Sequence, residues 1–234
     1  MTVAPAAAPT AETVRAPAVS ARSLYRFFRA GDDETLALRG VSLQVEQGEL
    51  VAVAGPSGSG KSTLLGCLAG LDEPDGGSVW IEGRRMSHRP EAVRARLRAE
   101  RIGFVAQSAN LFDHLTVEAN VVLVRRLAAR PVRASVPEVL ASVGLGARAR
   151  AYPGELSGGE AARAGLAVAL AVDPAVVLAD EPTGELDSAT EDDVLDLLLG
   201  TARRGVAIVV ASHSPAVAAA ADRVVHLRDG QVDR

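Results

Sequence analysis

The sequence predicts an α/β fold with a mixed β core, an antiparallel β patch and a helical lobe. Short valine-rich runs at 175–180 and 206–212 each follow a helical segment, which is typical of a parallel sheet covered by helices. A strand-like run at 78–83 and two short runs between 41 and 54 indicate the antiparallel patch. Residues 115–150 have helical spacing and no convincing strand, which indicates the lobe.

The remaining elements follow from the same periodicities. The two runs between 41 and 54 are joined by a Glu-Gln-Gly turn and are interpreted as a hairpin-like pair. Residues 64–70 and 91–101 are predicted helices, and 101–107 is a predicted buried strand. The C-terminal stretch VVHLRDGQV is a predicted hairpin with Asp-Gly in its turn.

Composition narrows the class of protein. The 234 residues are 48% hydrophobic and 23% charged, as in ordinary globular proteins. The net charge of −4 argues against a nucleic-acid-binding surface, and no nucleic-acid partner is expected. The single cysteine, Cys67, excludes an intramolecular disulfide. No apolar run reaches the roughly 18 to 20 residues that a membrane span needs.

Two segments differ in composition. Residues 1–20 are rich in alanine and proline and are predicted to be a disordered tail. They lack the basic start and apolar core of a signal peptide, so the expected location is the cytoplasm. Residues 21–234 are predicted to form one domain, within which the helical subdomain covers about 108–165.

The stretch GPSGSGKST at 55–63 carries the strongest motif. Gly55, Gly60, Lys61 and Ser62 fit G-x-x-x-x-G-K-[ST], between a strand and a helix as that motif requires. The alternative, a plain Gly/Ser turn with a solvated lysine, leaves this context unexplained. The motif predicts a P-loop NTPase fold, in which nine residues bind nucleotide: Gly55, Pro56, Ser57, Gly58, Ser59, Gly60, Lys61, Ser62 and Thr63.

The P-loop chemistry assigns individual roles. Backbone N–H groups and the N-terminal end of the helix dipole cradle phosphate oxygens. Lys61 is expected to bridge the β- and γ-phosphates, and the Ser62 hydroxyl to ligate Mg²⁺.

An acidic pair follows the predicted strand AVVLAD. Asp180 stands at the carboxyl end of that strand, where ligands collect in open α/β sheets, and is expected to hold Mg²⁺ directly or through water. Glu181 is the candidate to polarise the attacking water. Two solvated acids at a strand end are the alternative.

A second glycine-bearing segment, ELSGGE at 155–160, opens a helical run. Ser157 and Glu160 have the spacing of a capping box, yet a cap alone does not require the two adjacent glycines, Gly158 and Gly159. Glycines before a helix N-terminus can bind an anion. Since one nucleotide does not need two such sites, this second cradle (Ser157, Gly158, Gly159 and Glu160) is interpreted as serving another subunit's nucleotide.

Together with these motifs, Gln107 after IGFVA, VVLADE, GELD and Ser212–His213 occur in an order that resembles the ATP-binding subunit of ABC transporters. The resemblance covers about residues 20–234. Within the superfamily the chain is most similar to the lipoprotein-releasing and macrolide-exporter group, and also to the cell-division ATPase that pairs with an FtsX-like membrane protein.

That resemblance implies a homodimer that sandwiches two ATP molecules, each between one P-loop and the partner's second cradle. It implies that Glu181 is the catalytic base, that His213 contacts the γ-phosphate, and that Gln107 lies between the metal and the helical lobe. It further implies a separate FtsX- or MacB-like permease, with the chain peripheral on the inner face of the membrane.

Adenine is expected to stack on an aromatic ring ahead of the first sheet. Tyr25, Phe27 and Phe28 are candidates, and the family's register favours Phe28. Residues 108–124, with Leu111 and Phe112, are the predicted docking surface, unless that pair belongs to the lobe's core.

The pattern departs from the family at Glu160, where glutamine is commoner, at the plain residues 161–163, and at Glu185. None of these departures removes a P-loop residue or the acidic pair Asp180 and Glu181, so the chain is still expected to hydrolyse ATP. The alternatives are an ATP-dependent scaffolding subunit without transport, which Glu181 disfavours, and a soluble kinase, which does not explain LSGGE. The cargo stays open.

Overall fold

A computed structural model describes residues 16–30, 33–107, 111–128, 130–184 and 186–233. The strands are β1 Val19–Ala30, β2 Asp33–Val45, β3 Leu50–Ala54, β4 Gly76–Ile81, β5 Arg84–Arg85, β6 Ile102–Val105, β7 Val176–Asp180, β8 Ala207–Ala211, β9 Arg223–Arg228 and β10 Gln231–Val232. The α-helices are α1 Lys61–Ala69, α2 Glu91–Arg101, α3 Val117–Leu127, α4 Val136–Ser142, α5 Gly158–Leu170, α6 Ser188–Arg203 and α7 Pro215–Ala220.

A six-stranded sheet has the order β10-β9-β3-β8-β7-β6 and forms the centre of the molecule. Its strands pair in parallel except for the short edge strand β10, which is antiparallel to β9. Every residue of β7 and β8 is buried, which explains why these segments are valine-rich without alternating polar positions. The predicted mixed core is confirmed.

This sheet separates two hydrophobic cores. Val176 and Leu178 of β7 face a core shared with β1, β2, β4 and α1. Val177 and Ala179, on the opposite face of the same strand, pack in a core built with α3, α4, α5 and α6. The central strands are therefore packed on both faces.

The second sheet is antiparallel with the order β2-β1-β4-β5, as the sequence predicts. The hairpin-like pair between 41 and 54 is wrong, because β2 lies in this sheet and β3 in the other. The Glu49 N–H donates to the Glu46 carbonyl at 3.2 Å and the Glu46 N–H to a Glu49 carboxylate oxygen at 2.8 Å. This tight turn carries the chain from one sheet to the other.

The N-terminal boundary is also corrected. Residues 1–15 lie outside the described residues, but β1 begins at Val19, inside the stretch predicted to be a tail. Ala18 and Val19 are fully buried in the core between the two sheets. The domain therefore begins before residue 21, since burial of these side chains anchors the strand.

The helical lobe contains α3, α4 and 3₁₀ turns at 146–148 and 153–155. Helix α5 starts there and ends against β6, where a Cβ on Gly103 would lie 2.4 Å from the Ala169 carbonyl oxygen. The proposed lobe boundary near 165 falls inside α5, and residues 108–110 lie outside the described residues. The limits of the lobe stay a prediction.

Candidate active site

The loop between β3 and α1 needs its glycines for packing as well as for backbone conformation. Gly58 and Gly60 have φ of 76° and 104°, in the left-handed region that glycine favours. A Cβ on Gly60 would lie 2.5 Å from the Ala37 carbonyl oxygen, and one on Gly55 2.1 Å from that of Leu227. Gly60 offers α1 no side-chain cap, so the first N–H groups of that helix are available to an anion.

Lys61 is the only lysine in the sequence and is 8% exposed. Its Nζ donates to the carbonyl oxygens of Gly55 at 2.8 Å and Pro56 at 3.2 Å, and lies 3.8 Å from Glu181 Oε1. The ammonium group is thus fixed over the loop rather than free in solvent. Lys61 therefore places a positive charge at the loop, as expected for phosphate binding.

Asp180 ends β7 and is 9% exposed. Burial raises the pKa of its carboxyl, an effect that a hydrogen bond with the Ser62 side chain opposes. Asp180 Oδ1 is buried and has no hydrogen-bond partner among the described residues. A buried carboxylate oxygen beside a hydroxyl fits Mg²⁺, which prefers oxygen ligands and keeps several waters.

In the described part of the chain, no group of three or more His, Cys, Asp or Glu side chains could hold a metal ion. The predicted Mg²⁺ contacts, Asp180 and Ser62, are therefore only two protein groups. Mg²⁺ in NTPase sites is usually bound in that way, by one or two protein groups and the substrate.

Glu181 adopts φ of 48°, a left-handed conformation that is uncommon for a side chain with a Cβ. Its N–H donates to the Ala211 carbonyl at 2.8 Å, and Oε2 lies 3.0 Å from His213 Nδ1. Such backbone conformations cost about 1–3 kcal/mol and cluster at active sites. The conformation turns the carboxylate from the strand end towards Lys61 and His213.

One cleft of about 800 Å³ collects these groups at the carboxyl ends of the parallel strands. The predicted site residues that line it are Phe28, Gly55, Pro56, Ser57, Gly58, Gly60, Lys61, Ser62, Thr63, Gln107, Glu181 and His213. Ser59 and Asp180 are buried and do not line the cleft.

The aromatic candidates differ in position. Phe28 lines the cleft and is 41% exposed, with the Arg26 guanidinium 4.7 Å from its ring centroid. Tyr25 lies instead against Gly40 and Gly76, where a Cβ would be 3.0 Å from the Tyr25 hydroxyl and 3.4 Å from its ring. The position of Phe28 favours it as the stacking ring.

The second cradle lies outside this cleft. The predicted capping box is confirmed, because the Ser157 hydroxyl accepts from the Glu160 N–H and the Ser157 N–H donates to Glu160 Oε2 at 2.9 Å. The N–H groups of Gly158 and Gly159 have no acceptor among the described residues. They are available to a ligand that this chain's own cleft does not hold.

The two glycines of the second cradle differ in how much space the structure leaves for a side chain. A Cβ on Gly159 would lie 2.2 Å from Thr190 Cγ2 of α6, so packing alone explains this glycine. A Cβ on Gly158 would have an ordinary contact of 3.5 Å with Leu186. Packing alone can therefore account for Gly159, whereas Gly158 has no such packing requirement, and the binding of an anion by both residues stays a prediction.

Sequence reasoning missed the turn of the last hairpin as part of the site. Asp229 and Gly230 line the cleft, with φ of 47° and 76°. The Gly230 N–H donates to the Ser59 carbonyl at 3.0 Å, and the Gly230 carbonyl accepts from the Arg39 N–H at 2.7 Å. The sequence correctly predicts this turn but contains no signal that it supports the P-loop.

Comparison with known proteins gives a consistent result. The model of the family described as ABC transporter matches residues 38–184. An uncharacterised ABC transporter ATP-binding protein of Methanocaldococcus jannaschii is 39% identical over 217 residues, which cover 92% of this chain and 97% of that protein. The macrolide export ATP-binding/permease protein MacB of Escherichia coli K12 is 39% identical over 223 residues, which cover 93% of this chain but 34% of that protein.

A solved relative has the same fold. The ATP-binding cassette MJ0796, a dimer in a post-hydrolysis state bound to ADP and phosphate, aligns with a TM-score of 0.85 at 34% identity. The alignment covers 92% of this chain and 97% of that one. Within the described ranges, no helix of this chain combines the length and apolar character needed to cross a bilayer.

Proposed function

The chain belongs to the ABC transporter family, and from this premise we propose that it is the ATP-hydrolysing subunit that drives a separate membrane-spanning partner. Membership in this family of ATPases confirms the predicted fold class and ATP-dependent function. The specific partner, the metal and the assembly described below are proposals that rest on the geometry of this chain.

One observation carries the proposal. Lys61, Glu181 and His213 meet in a single cleft, with Asp180 buried at the end of the adjoining strand. A binding module without turnover needs the cradle but not the base, so Glu181 favours hydrolysis over the scaffolding alternative.

The residues of the cleft divide the work. The P-loop N–H groups and Lys61 bind the β- and γ-phosphates and stabilise charge on the transferred group. Glu181 accepts hydrogen bonds from the attacking water and orients it, while His213 holds the Glu181 carboxylate through Nδ1. Phe28 positions adenine at the open end of the cleft by stacking.

Asp180 and Ser62 would hold Mg²⁺, which neutralises phosphate charge when bound. The buried Oδ1 of Asp180, which has no hydrogen-bond partner among the described residues, supports this role. Gln107, which lines the same cleft at the end of β6, is a further candidate contact.

The working state is proposed to be a homodimer. Each chain has one complete nucleotide cleft and, away from it, the free N–H groups of Gly158 and Gly159. Two chains placed head to tail would bring the second cradle of each against the nucleotide held in the other's cleft. The dimeric MJ0796 cassette supports this arrangement.

The membrane partner is proposed to dock near Phe112. The predicted Leu111 and Phe112 pair is divided, since Leu111 belongs to the core at 9% exposure while Phe112 is 53% exposed. Asn120 fixes this segment by accepting from the Phe112 N–H at 2.7 Å and donating to the Leu115 carbonyl at 3.1 Å. An exposed ring on a backbone fixed by hydrogen bonds suits a partner helix.

Through such a partner the chain would be peripheral on the inner face of the cell membrane. The permease is proposed to be FtsX- or MacB-like, with export or extraction from the membrane as the direction. The cargo would be recognised by that partner and is not encoded in this chain.

Affinity purification of the tagged chain from detergent-solubilised membranes tests this proposal. We expect a stoichiometric polytopic membrane protein, identified by mass spectrometry, which Phe112→Ala weakens without altering ATP binding. Recovery of the active ATPase without any membrane protein, in the wild type and in Glu181→Gln with ATP, would contradict the transport role.

A further inference from the structure

Glu160 places a carboxylate in the first turn of α5, next to the free N–H groups of Gly158 and Gly159. A helix N-terminus binds anions because its N–H groups and dipole are positive. An uncompensated carboxylate at that end would repel a phosphate. The proposed dimer therefore needs a positive charge that compensates the Glu160 carboxylate.

Arg148, from the 3₁₀ turn at 146–148, supplies a matching charge. Its Nη2 donates to Glu160 Oε2 at 3.2 Å, and its Nε lies 3.0 Å from Oε1, which is an ion-pair distance without hydrogen-bond direction. The same Nη2 donates to the Glu155 carbonyl at 2.5 Å. The guanidinium is thus fixed to the segment that leads into α5.

Glu160 is also held from its own helix. The Ser157 N–H donates to Oε2 at 2.9 Å, so the carboxylate turns back on the N-cap. This hydrogen bond and, next, the charge of Arg148 lower the pKa of Glu160. The carboxylate therefore keeps its charge near neutral pH, and protonation does not remove the repulsion.

We propose that Arg148 is a positioning residue that neutralises Glu160 and ties it to the Ser157 cap, leaving the N–H groups of Gly158 and Gly159 free to bind the terminal phosphate of a nucleoside triphosphate in the partner subunit. The inference rests on the proposed homodimer. Arg148 acts through Glu160 and touches no nucleotide. Its role explains how a glutamate is tolerated at this position.

The test measures dimer formation against ATP concentration by light scattering, in a Glu181→Gln parent. Adding Arg148→Ala is expected to weaken dimerisation about tenfold, since in each dimer two unpaired Glu160 carboxylates then face the partner's phosphates. Adding Glu160→Gln to Arg148→Ala is expected to restore the dimer, because the unpaired carboxylate is gone. Arg150→Ala, which removes a neighbouring exposed arginine, is the matched control and should dimerise as the parent does.

Three results would overturn the inference. Dimerisation unchanged by Arg148→Ala would show that the pair is irrelevant, and a failure of Glu160→Gln to rescue would show that Arg148 acts by stabilising the fold. A weaker dimer in Glu160→Gln alone would show that the carboxylate itself is required. If the Glu181→Gln parent never dimerises, the proposed homodimer fails first, and this outcome is distinguishable because it precedes any change at Arg148.

Discussion

Two helices of this protein begin beside glycines, and their N-termini are built differently. The N-terminus of α1 has no side-chain cap, and Gly58 and Gly60 before it adopt left-handed φ. A Cβ on Gly55 or Gly60 would lie only 2.1 or 2.5 Å from a carbonyl oxygen. The N-terminus of α5 is closed by the Ser157–Glu160 capping box. The charged residue at the N-terminus of α1 is Lys61, whereas the N-terminus of α5 has an ion pair between Glu160 and Arg148.

The difference teaches what each end can do alone. The α1 end lies in a cleft with Lys61, Glu181 and His213, and Asp180 is buried at the end of the adjoining strand, so we expect it to bind a whole nucleotide. Among the described residues, the α5 end offers two N–H groups and a balanced charge and lies outside the cleft that contains Lys61, so we expect it to contribute to a site only when another molecule brings the phosphate. We propose that one chain carries a complete site and a half-site.

Lys61→Ala is the most severe test of the complete site. We expect ATP affinity to fall about 100-fold, as when one partner of a buried charge pair is removed. Isothermal titration calorimetry measures this, with Arg96→Ala on the surface of α2 as the control. Unchanged ATP affinity would remove the asymmetry between the two helix ends.

Alanine at each glycine of the second cradle separates packing from phosphate binding. Gly159→Ala is expected to destabilise the monomer by about 1–3 kcal/mol, because the new Cβ meets Thr190, whose hydroxyl is hydrogen-bonded to Asp187. Gly158→Ala is expected to leave the free energy of unfolding within about 0.5 kcal/mol while lowering ATP hydrolysis. Thermal unfolding and phosphate release measure both, and equal melting temperatures would contradict the distinction.

Phe28→Ala tests whether Phe28 is the ring that stacks on adenine in the cleft. Loss of a stacking ring is expected to weaken ATP binding roughly tenfold, without a comparable effect on pyrophosphate. Tyr25→Ala, which alters a ring packed against Gly40 and Gly76, is the matched variant. If Tyr25→Ala weakened ATP binding more than Phe28→Ala did, the assignment of the stacking residue would be reversed.

Asp180→Asn is expected to change the melting temperature only slightly, but the direction of the change is informative. Since burial raises the folded pKa of Asp180, its stability contribution is present at low pH and is lost as pH rises through that pKa. Asn carries no charge, so the nucleotide-free variant should melt about 2–4 °C higher at neutral pH, the shift for roughly 1 kcal/mol. This advantage should vanish near pH 3, and a variant that melts lower at neutral pH would contradict it.

Much of the fold was predictable because each strand and helix leaves a local pattern. The run at 176–180 reads as a buried strand from its valines alone, and α2 has the predicted bounds. Which strands pair with each other was not predictable. The sequence of the turn at Glu46–Glu49 is compatible both with a hairpin and with a strand that enters the other sheet. Ala18 and Val19 were misassigned since composition does not reveal burial of a short stretch.

The site follows the same division. Spacing located Lys61 and Glu181, because their chemistry requires fixed positions after a strand. The left-handed φ of Glu181 and the contact between Arg148 and Glu160 depend on tertiary packing, twelve residues apart in the second case, and no local pattern encodes them. Gly159 shows the opposite source of error, because a residue that matches a functional motif can also be explained by packing alone.

The most direct test of a complete site beside a half-site is the mass of Glu181→Gln with ATP and Mg²⁺, measured by light scattering. The variant is expected to bind ATP and hydrolyse it orders of magnitude more slowly, since the base is lost. The account predicts a dimer of two 24.1 kDa chains that returns to monomer when ATP is removed. A monomer at saturating ATP and high protein concentration would contradict it.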